Sequence, residues 1–305
     1  MKTLWMFPGQ GSQRQGMLSN VTPSLRKKVT DLTDIELTDT DQGYTDSVQI
    51  QLSILILQID QIDKMKADGW APNLVAGHSL GVFAAAYAAN VITAVDAIKV
   101  VALRAKEMQN AYPTGYGMGV IVGLLRKEVT GIVNENFDKR NPVYVSNQNS
   151  QLQVTVSGSI IGIKKILEQA KKRGAQKAKL LRVPVPSHSP LMRDVAKKLT
   201  TILGKIQLQD PTCIYLADYN GHATKSVERV TYDLGNNLVH PVYWDVMMDV
   251  AKEYLIDSSV EFSPGHVMTG LLKTKIPDMK TISMADMVLE DAEFLLNKWK
   301  NQEKR

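Results

Sequence analysis

The sequence predicts an α/β protein with a compact unit inserted in it, and three observations carry that expectation. A short apolar run, Leu4 to Phe7, breaks into the glycine-rich stretch FPGQGSQRQG, as a buried strand does when it ends in a binding turn. A second apolar run, NLVAGHS, passes directly into the alanine-rich LGVFAAAYAAN, a strand followed by a helix closed by Asn90. From Gly117 the order becomes strand, helix, strand, strand, helix, strand, a unit of about seventy residues.

Leu4 to Phe7 reads as the first strand. Residues 21 to 45 are polar and weakly periodic, and irregular or short-helical structure is expected there. Val48 to Asp68 alternates like a strand at its start, but its length, the steps of four and three from Val48 to Ile62, and the closing Gly69 favour a helix. Thr93 with Asp96 three places on forms a capping box for a helix running to about Asn110. In the inserted unit, MGVIVGL, PVYVSN, LQVTVSG and AKLLRVPV read as strands, and RKEVTGIVNENF and IGIKKILEQAKKRG as helices. That order is the ferredoxin-like split βαβ pattern. A helix capped by Ser189 and Pro190, a strand at CIYLAD, a helix after Pro241, a strand at SSVEF and a last amphipathic helix ending in KWKNQEKR complete the chain.

Composition narrows the function classes. At 44% hydrophobic and 22% charged, the 305 residues suit a soluble globular protein with a substantial core. Cys213 is the only cysteine, which excludes an internal disulfide framework and a cysteine-built zinc site and fits a reducing compartment. No apolar run is long enough for a signal peptide or a membrane span, so a cytoplasmic protein is expected. A net charge of +5 favours acidic partners, while 6% aromatics and no arginine/aromatic face argue against nucleic-acid reading.

The glycine-rich turn fails both phosphate patterns. Arg14 stands where a dinucleotide site needs glycine, and Met17 and Leu18 replace the Lys and Ser/Thr of a P-loop. An oxyanion-binding turn is the better reading. GHSLG, Gly77 to Gly81, is a G-x-S-x-G elbow between a strand and a helix, which marks Ser79 as a nucleophile over a simple helix cap. A serine needs a base, and five histidines compete. His78 adjoins Ser79 and should point elsewhere; His222 lies in a turn; His240 and His266 suit cap or core positions. His188, in VPVPSHSPLM, precedes a helix whose N-terminus would keep its imidazole neutral.

FPGQGSQ, GHSLG, RAKEMQ, PSHSPLM and SPGHVMTGL occur in the order and approximate spacing of malonyl-CoA:acyl carrier protein transacylases, and the chain resembles that family over nearly its whole length. The resemblance implies an α/β-hydrolase-like catalytic domain, residues 1–115 and 185–305, with a ferredoxin-like insert at 116–184. It implies Ser79 as nucleophile, His188 as base, and the backbone N–H groups of Gln10 and Leu80 as the oxyanion hole. Arg104 falls on the family's carboxylate-binding arginine, and a guanidinium suits the free carboxylate of malonate. The backbone carbonyl that orients the base falls on Asn237, where side-chain identity should matter little. Asn147, Asn149 and Gln153 match polar positions that touch substrate.

The implied reaction is ping-pong transfer of malonyl from malonyl-CoA to the thiol of an acyl carrier protein, with no metal or permanently bound cofactor. A thioesterase on the same elbow and a non-catalytic carrier-docking subunit are the rivals. Val82 and Phe83 follow GHSLG where fatty-acid-pathway members usually continue with glutamate, and the stretch before the elbow is short. Both features resemble the acyltransferase subunit of malonate decarboxylase, which would add that enzyme's other subunits as partners. Lys164, Lys165, Lys171, Lys172 and Arg173 crowd one helix of the insert, either as a solvated face or as a carrier dock.

Overall fold

The computed structural model describes residues 1–302. Its first half runs β1 (Thr3–Phe7), α1 (Pro23–Thr33), α2 (Ser47–Ala67), β2 (Leu74–Gly77), α3 (Gly81–Ala88) and α4 (Ala94–Ala111). The inserted unit follows as β3 (Tyr116–Val122), α5 (Arg126–Glu135), β4 (Val143–Ser150), β5 (Gln153–Ser159), α6 (Ile160–Lys172) and β6 (Lys177–Leu180). The chain then forms α7 (Arg193–Leu203), β7 (Ile214–Leu216), β8 (Ala223–Thr224), α8 (Val227–Asn236), α9 (Trp244–Glu253), β9 (Ser258–Glu261), α10 (Val267–Lys275), β10 (Lys280–Ser283) and α11 (Leu289–Gln302).

The fold is α/β, with a large hydrolase-like sheet and a ferredoxin-like smaller one. The large sheet has the order β10-β9-β1-β2-β7-β8, parallel except for the antiparallel β7–β8 pair. β1 is buried along its whole length because helices cover both faces, and its side chains divide by the two-residue period of a strand. Trp5 and Phe7 enter one core cluster, while Leu4 and Met6 enter the other. The smaller sheet is antiparallel in the order β4-β5-β3-β6, and its core lies against α5 and α6.

Capping sets two boundaries, the first of them as expected. Thr93 accepts from the Asp96 N–H at 3.1 Å to open α4, and Ser159 caps α6 through the Gly162 N–H at 3.0 Å. Two boundaries differ from expectation. Ser189 donates to the Pro186 carbonyl at 2.7 Å instead of capping, so one 3₁₀ turn, Pro190–Met192, separates it from α7. The strand expected to run to Val185 stops at Leu180. α8, α10, β8 and β10 have no counterpart in the sequence reading. The last three residues of the basic stretch KWKNQEKR lie outside the described residues.

Register places the ends of the central strands together. Phe7 pairs with Gly77, Met6 with Glu261, and Ala76 with Leu216. The loops that leave β1, β2, β7 and β9 therefore start side by side at the carboxyl edge, where an open α/β sheet offers a crevice.

Candidate active site

The elbow after β2 is tight because its glycines leave no room for side chains. A Cβ on Gly81 would stand 1.9 Å from the Phe7 carbonyl oxygen, and one on Gly77 would stand 2.3 Å from the Gly81 carbonyl carbon. Within this tight turn Ser79 adopts φ 57°, a left-handed conformation that non-glycine residues seldom adopt. His188 shares the feature, at φ 60°. Such outliers gather where function requires an orientation that local sterics oppose.

The two side chains meet. His188 Nε2 lies 2.8 Å from Ser79 Oγ, and His188 Nδ1 lies 3.0 Å from the Asn237 carbonyl and 3.3 Å from that of His240. Carbonyls only accept, so Nδ1 carries the proton and Nε2 presents its lone pair to the serine hydroxyl. Burial, then the neighbouring His78 and Arg104, push the His188 imidazole down to about 3. Desolvation is the largest cause.

Arg104 returns on α4 to the back of Ser79, where its Nη2 donates to Oγ at 3.3 Å. Its Nη1 donates to Gln51 of α2, and its Nε is buried without a partner. The guanidinium is 1% exposed, and burial lowers it to about 10, with Asp218 pulling the other way. It therefore stays cationic at neutral pH.

The glycine-rich loop after β1 packs directly on the elbow. A Cβ on Gly9 would stand 2.8 Å from the His78 carbonyl oxygen and 3.6 Å from Leu80 N. Gln58, buried on α2, anchors the loop by donating to the Pro8 carbonyl at 2.9 Å and the Ser263 carbonyl at 3.0 Å. Gln10 and Ser79 line a cleft of about 210 Å³ together with His188, Asn147, Asn149 and residues of α10. A larger groove of about 750 Å³ adjoins it, sharing Gln10, Met118, Leu181 and Val183.

The inserted sheet closes the other side of the cleft. Register irregularities between Val145 and Ser150 on β4 turn its polar residues toward the elbow. Asn149 Oδ1 accepts from His78 Nε2 at 3.0 Å, and the His78 ring lies 5.8 Å from that of Trp244. His78 thus faces the insert while still lining the cleft with Ser79. Gln153 is not among the cleft-lining residues. His222 and His266 are exposed, and His240 bonds Tyr232. The Asn237 carbonyl meets His188 as expected, and its side chain makes a contact that was not expected: Nδ2 donates to the Ser79 carbonyl at 3.0 Å.

Sequence reasoning passed over Gln51, Gln58 and Asp218. The two glutamines are seven residues apart on one face of a helix that is buried without a break from Ile50 to Asp60, and that spacing was the available signal. Among the described residues, no group of three or more His, Cys, Asp or Glu is placed to hold a metal ion. No helix among them is long and apolar enough to cross a membrane.

A nucleophile elbow and a neutral histidine lining one cleft, with a buried cation against the serine from behind, suit acyl transfer to serine. A family model described as the acyl transferase domain matches residues 4–291. The chain belongs to that family. It is 32% identical to the malonyl CoA-acyl carrier protein transacylase of Haemophilus influenzae, over 97% of this chain and 99% of that protein. Among solved structures, FabD of Acinetobacter baumannii is 31% identical with a TM-score of 0.89, covering 97% of this chain and 98% of that one. A malonyl-transacylase solved in complex with its type II PKS acyl-carrier protein is 30% identical with a TM-score of 0.88, covering 94% of this chain and 97% of that one.

Proposed function

We propose that the chain transfers malonyl from malonyl-CoA to the thiol of an acyl carrier protein through a malonyl ester on Ser79. The supporting observation is the Arg104 guanidinium 3.3 Å from Ser79 Oγ, a buried cation that feels Asp218 but makes no direct ion pair among the described residues. A free carboxylate at the far end of the acyl group gives it a partner by charge-assisted hydrogen bonds.

His188 Nε2 takes the Ser79 proton as Oγ attacks the thioester carbonyl carbon. Gln10 and Leu80 N–H groups hold the oxyanion, each worth ~3 to 4 kcal/mol in comparable sites. Collapse breaks the carbon–sulfur bond, and the CoA thiol departs with the proton from His188. The carrier's thiol then gives its proton to His188, attacks the ester carbonyl, and returns Ser79 to its hydroxyl form. The adjoining groove suits the long thiol-bearing arm of either substrate. On this reading, residues 116–184 form the inserted domain and residues 1–115 with 185–305 the catalytic one, and the antiparallel smaller sheet supports that division. A cytoplasmic setting goes with the single buried Cys213.

The relatives favour the fatty-acid-pathway transacylase, the alternative reading, over the malonate decarboxylase subunit. Val82 and Phe83 are fully buried, so core packing accounts for their apolar character without reference to pathway. The relative solved with its acyl-carrier protein supports a carrier as acceptor. Arg104→Ala is the test: malonyl transfer should be lost while acetyl transfer is kept or gained. Equal loss toward both acyl groups would make Arg104 structural and remove the basis for malonyl selectivity.

A further inference from the structure

The strained Ser79 peptide is gripped from both sides by buried side chains that lie outside the elbow. Its N–H donates to Asp218 Oδ2 at 3.3 Å, and its carbonyl accepts from Asn237 Nδ2 at 3.0 Å. Asp218 is 0% exposed and Asn237 1% exposed. Asp218 follows β7, the strand paired with β2, so it stands beside the elbow by sheet register. Asn237 opens the 3₁₀ turn after α8.

The Asp218 backbone is fixed in turn. The Asp218 N–H donates to Asp233 Oδ2 at 3.0 Å, and its carbonyl accepts from Tyr243 N at 3.0 Å. Asp233 is also held by the Tyr215 hydroxyl at 2.8 Å and the Tyr219 N–H at 3.0 Å. Asp218 Oδ1, by contrast, is buried without a partner, as is Asn237 Oδ1. A buried carboxyl with one unsatisfied oxygen beside a second carboxyl is a poor way to stabilise a fold. Its one outward hydrogen bond goes to the residue whose conformation is strained.

We propose that Asp218 and Asn237 are positioning residues that hold Ser79 in its left-handed conformation, with Asn237 coupling nucleophile and base. One residue binds the Ser79 carbonyl through its side chain and His188 Nδ1 through its own carbonyl, so it sets the Oγ to Nε2 separation. Asp218 Oδ2 accepts the Ser79 N–H at 3.3 Å whether or not the carboxyl is charged; burial and Asp233 push the carboxyl above the ordinary range, while the Ser79 N–H and Arg104 pull it back. The inference rests on Ser79 being the acylated residue.

The test is the single-turnover rate of malonyl-enzyme formation, read by intact mass, with malonyl-CoA affinity and melting temperature measured alongside. Asp218→Ala and Asn237→Asp should slow acylation by roughly ten- to a hundredfold, the scale of a small misplacement of a reacting group. Malonyl-CoA affinity should change little. Asp218→Asn, which keeps an acceptor for the Ser79 N–H, should recover most of the rate lost in Asp218→Ala. Wild-type rates in Asp218→Ala and Asn237→Asp would overturn the proposal, as would Asp218→Asn being as slow as Asp218→Ala. If Asp218→Ala does not fold, the near-isosteric pair decides: a slow Asn237→Asp with a fast Asp218→Asn supports it, and any other combination overturns it. A wild-type enzyme that forms no adduct would instead refute the function on which the inference rests.

Discussion

Ser79 and His188 both carry positive φ, at a cost of about 1 to 3 kcal/mol each. The geometry obtained is a neutral imidazole with its lone pair on the serine hydroxyl. Because His188 is depressed to about 3, it remains unprotonated well below the ordinary histidine range. The acid limb of malonyl-CoA acylation should therefore lie far below pH 6.5, and stopped-flow rates between pH 5 and 7 should stay nearly flat as far as His188 is concerned. A limb centred near 6.5 would place the proton transfer on a different group. The same depression links to stability. Between about 3 and 6.5 the unfolded chain binds a proton at this residue that the native state refuses, so stability is lost as pH falls through that window. His78, lowered by its own burial, adds in the same direction.

The elbow between β2 and α3 depends on glycine for space as much as for conformation. Gly81→Ala would drive a methyl to 1.9 Å from the Phe7 carbonyl, and backbone cannot yield as a side chain does. Urea unfolding should show a loss of about 1 to 3 kcal/mol or more, the range for overpacking. Gly270→Ala on α10 is the matched control. It meets nothing within 4 Å, and its exposed helical position should gain up to about 1 kcal/mol. Equal effects at the two sites would refute the steric account. Elements with clear periodicity or caps, such as β1, α2, α4 and the inserted unit, were legible in the sequence. α8 was not, because Asp233 and Gly235 lie on its buried face and blur a short apolar stripe that holds only Val230 and Leu234, and β10 has one buried apolar residue, Ile282, among its four. Ser79 was legible because the elbow motif fixes a local geometry, and His188 was selected among five histidines by the family resemblance. Gln51, Gln58 and Asp218 were not, since a polar residue in an apolar run acquires its meaning only from a partner brought in by tertiary folding.

At the scale of the molecule, a net charge of +5 and the exposed lysines of α6 bear on how a carrier arrives. Lys172 pairs with Glu168 at 2.7 Å and Arg173 with Glu135, so part of this charge is already answered within the insert. Exposed pairs of this kind add little and leave room for an acidic partner. If α6 docks the carrier, Lys171→Glu with Lys172→Glu should raise the carrier's apparent KM at low salt and leave acylation by malonyl-CoA unchanged. Unchanged carrier kinetics would make α6 a solvated face. The whole account depends on one covalent species, a malonyl ester at the tip of the elbow, formed before any carrier is present. Tandem mass spectrometry of the protein after brief exposure to malonyl-CoA should locate a malonyl adduct on Ser79, and the adduct should be absent from Ser79→Ala. An adduct on another residue, or one that persists undiminished in Ser79→Ala, would contradict it.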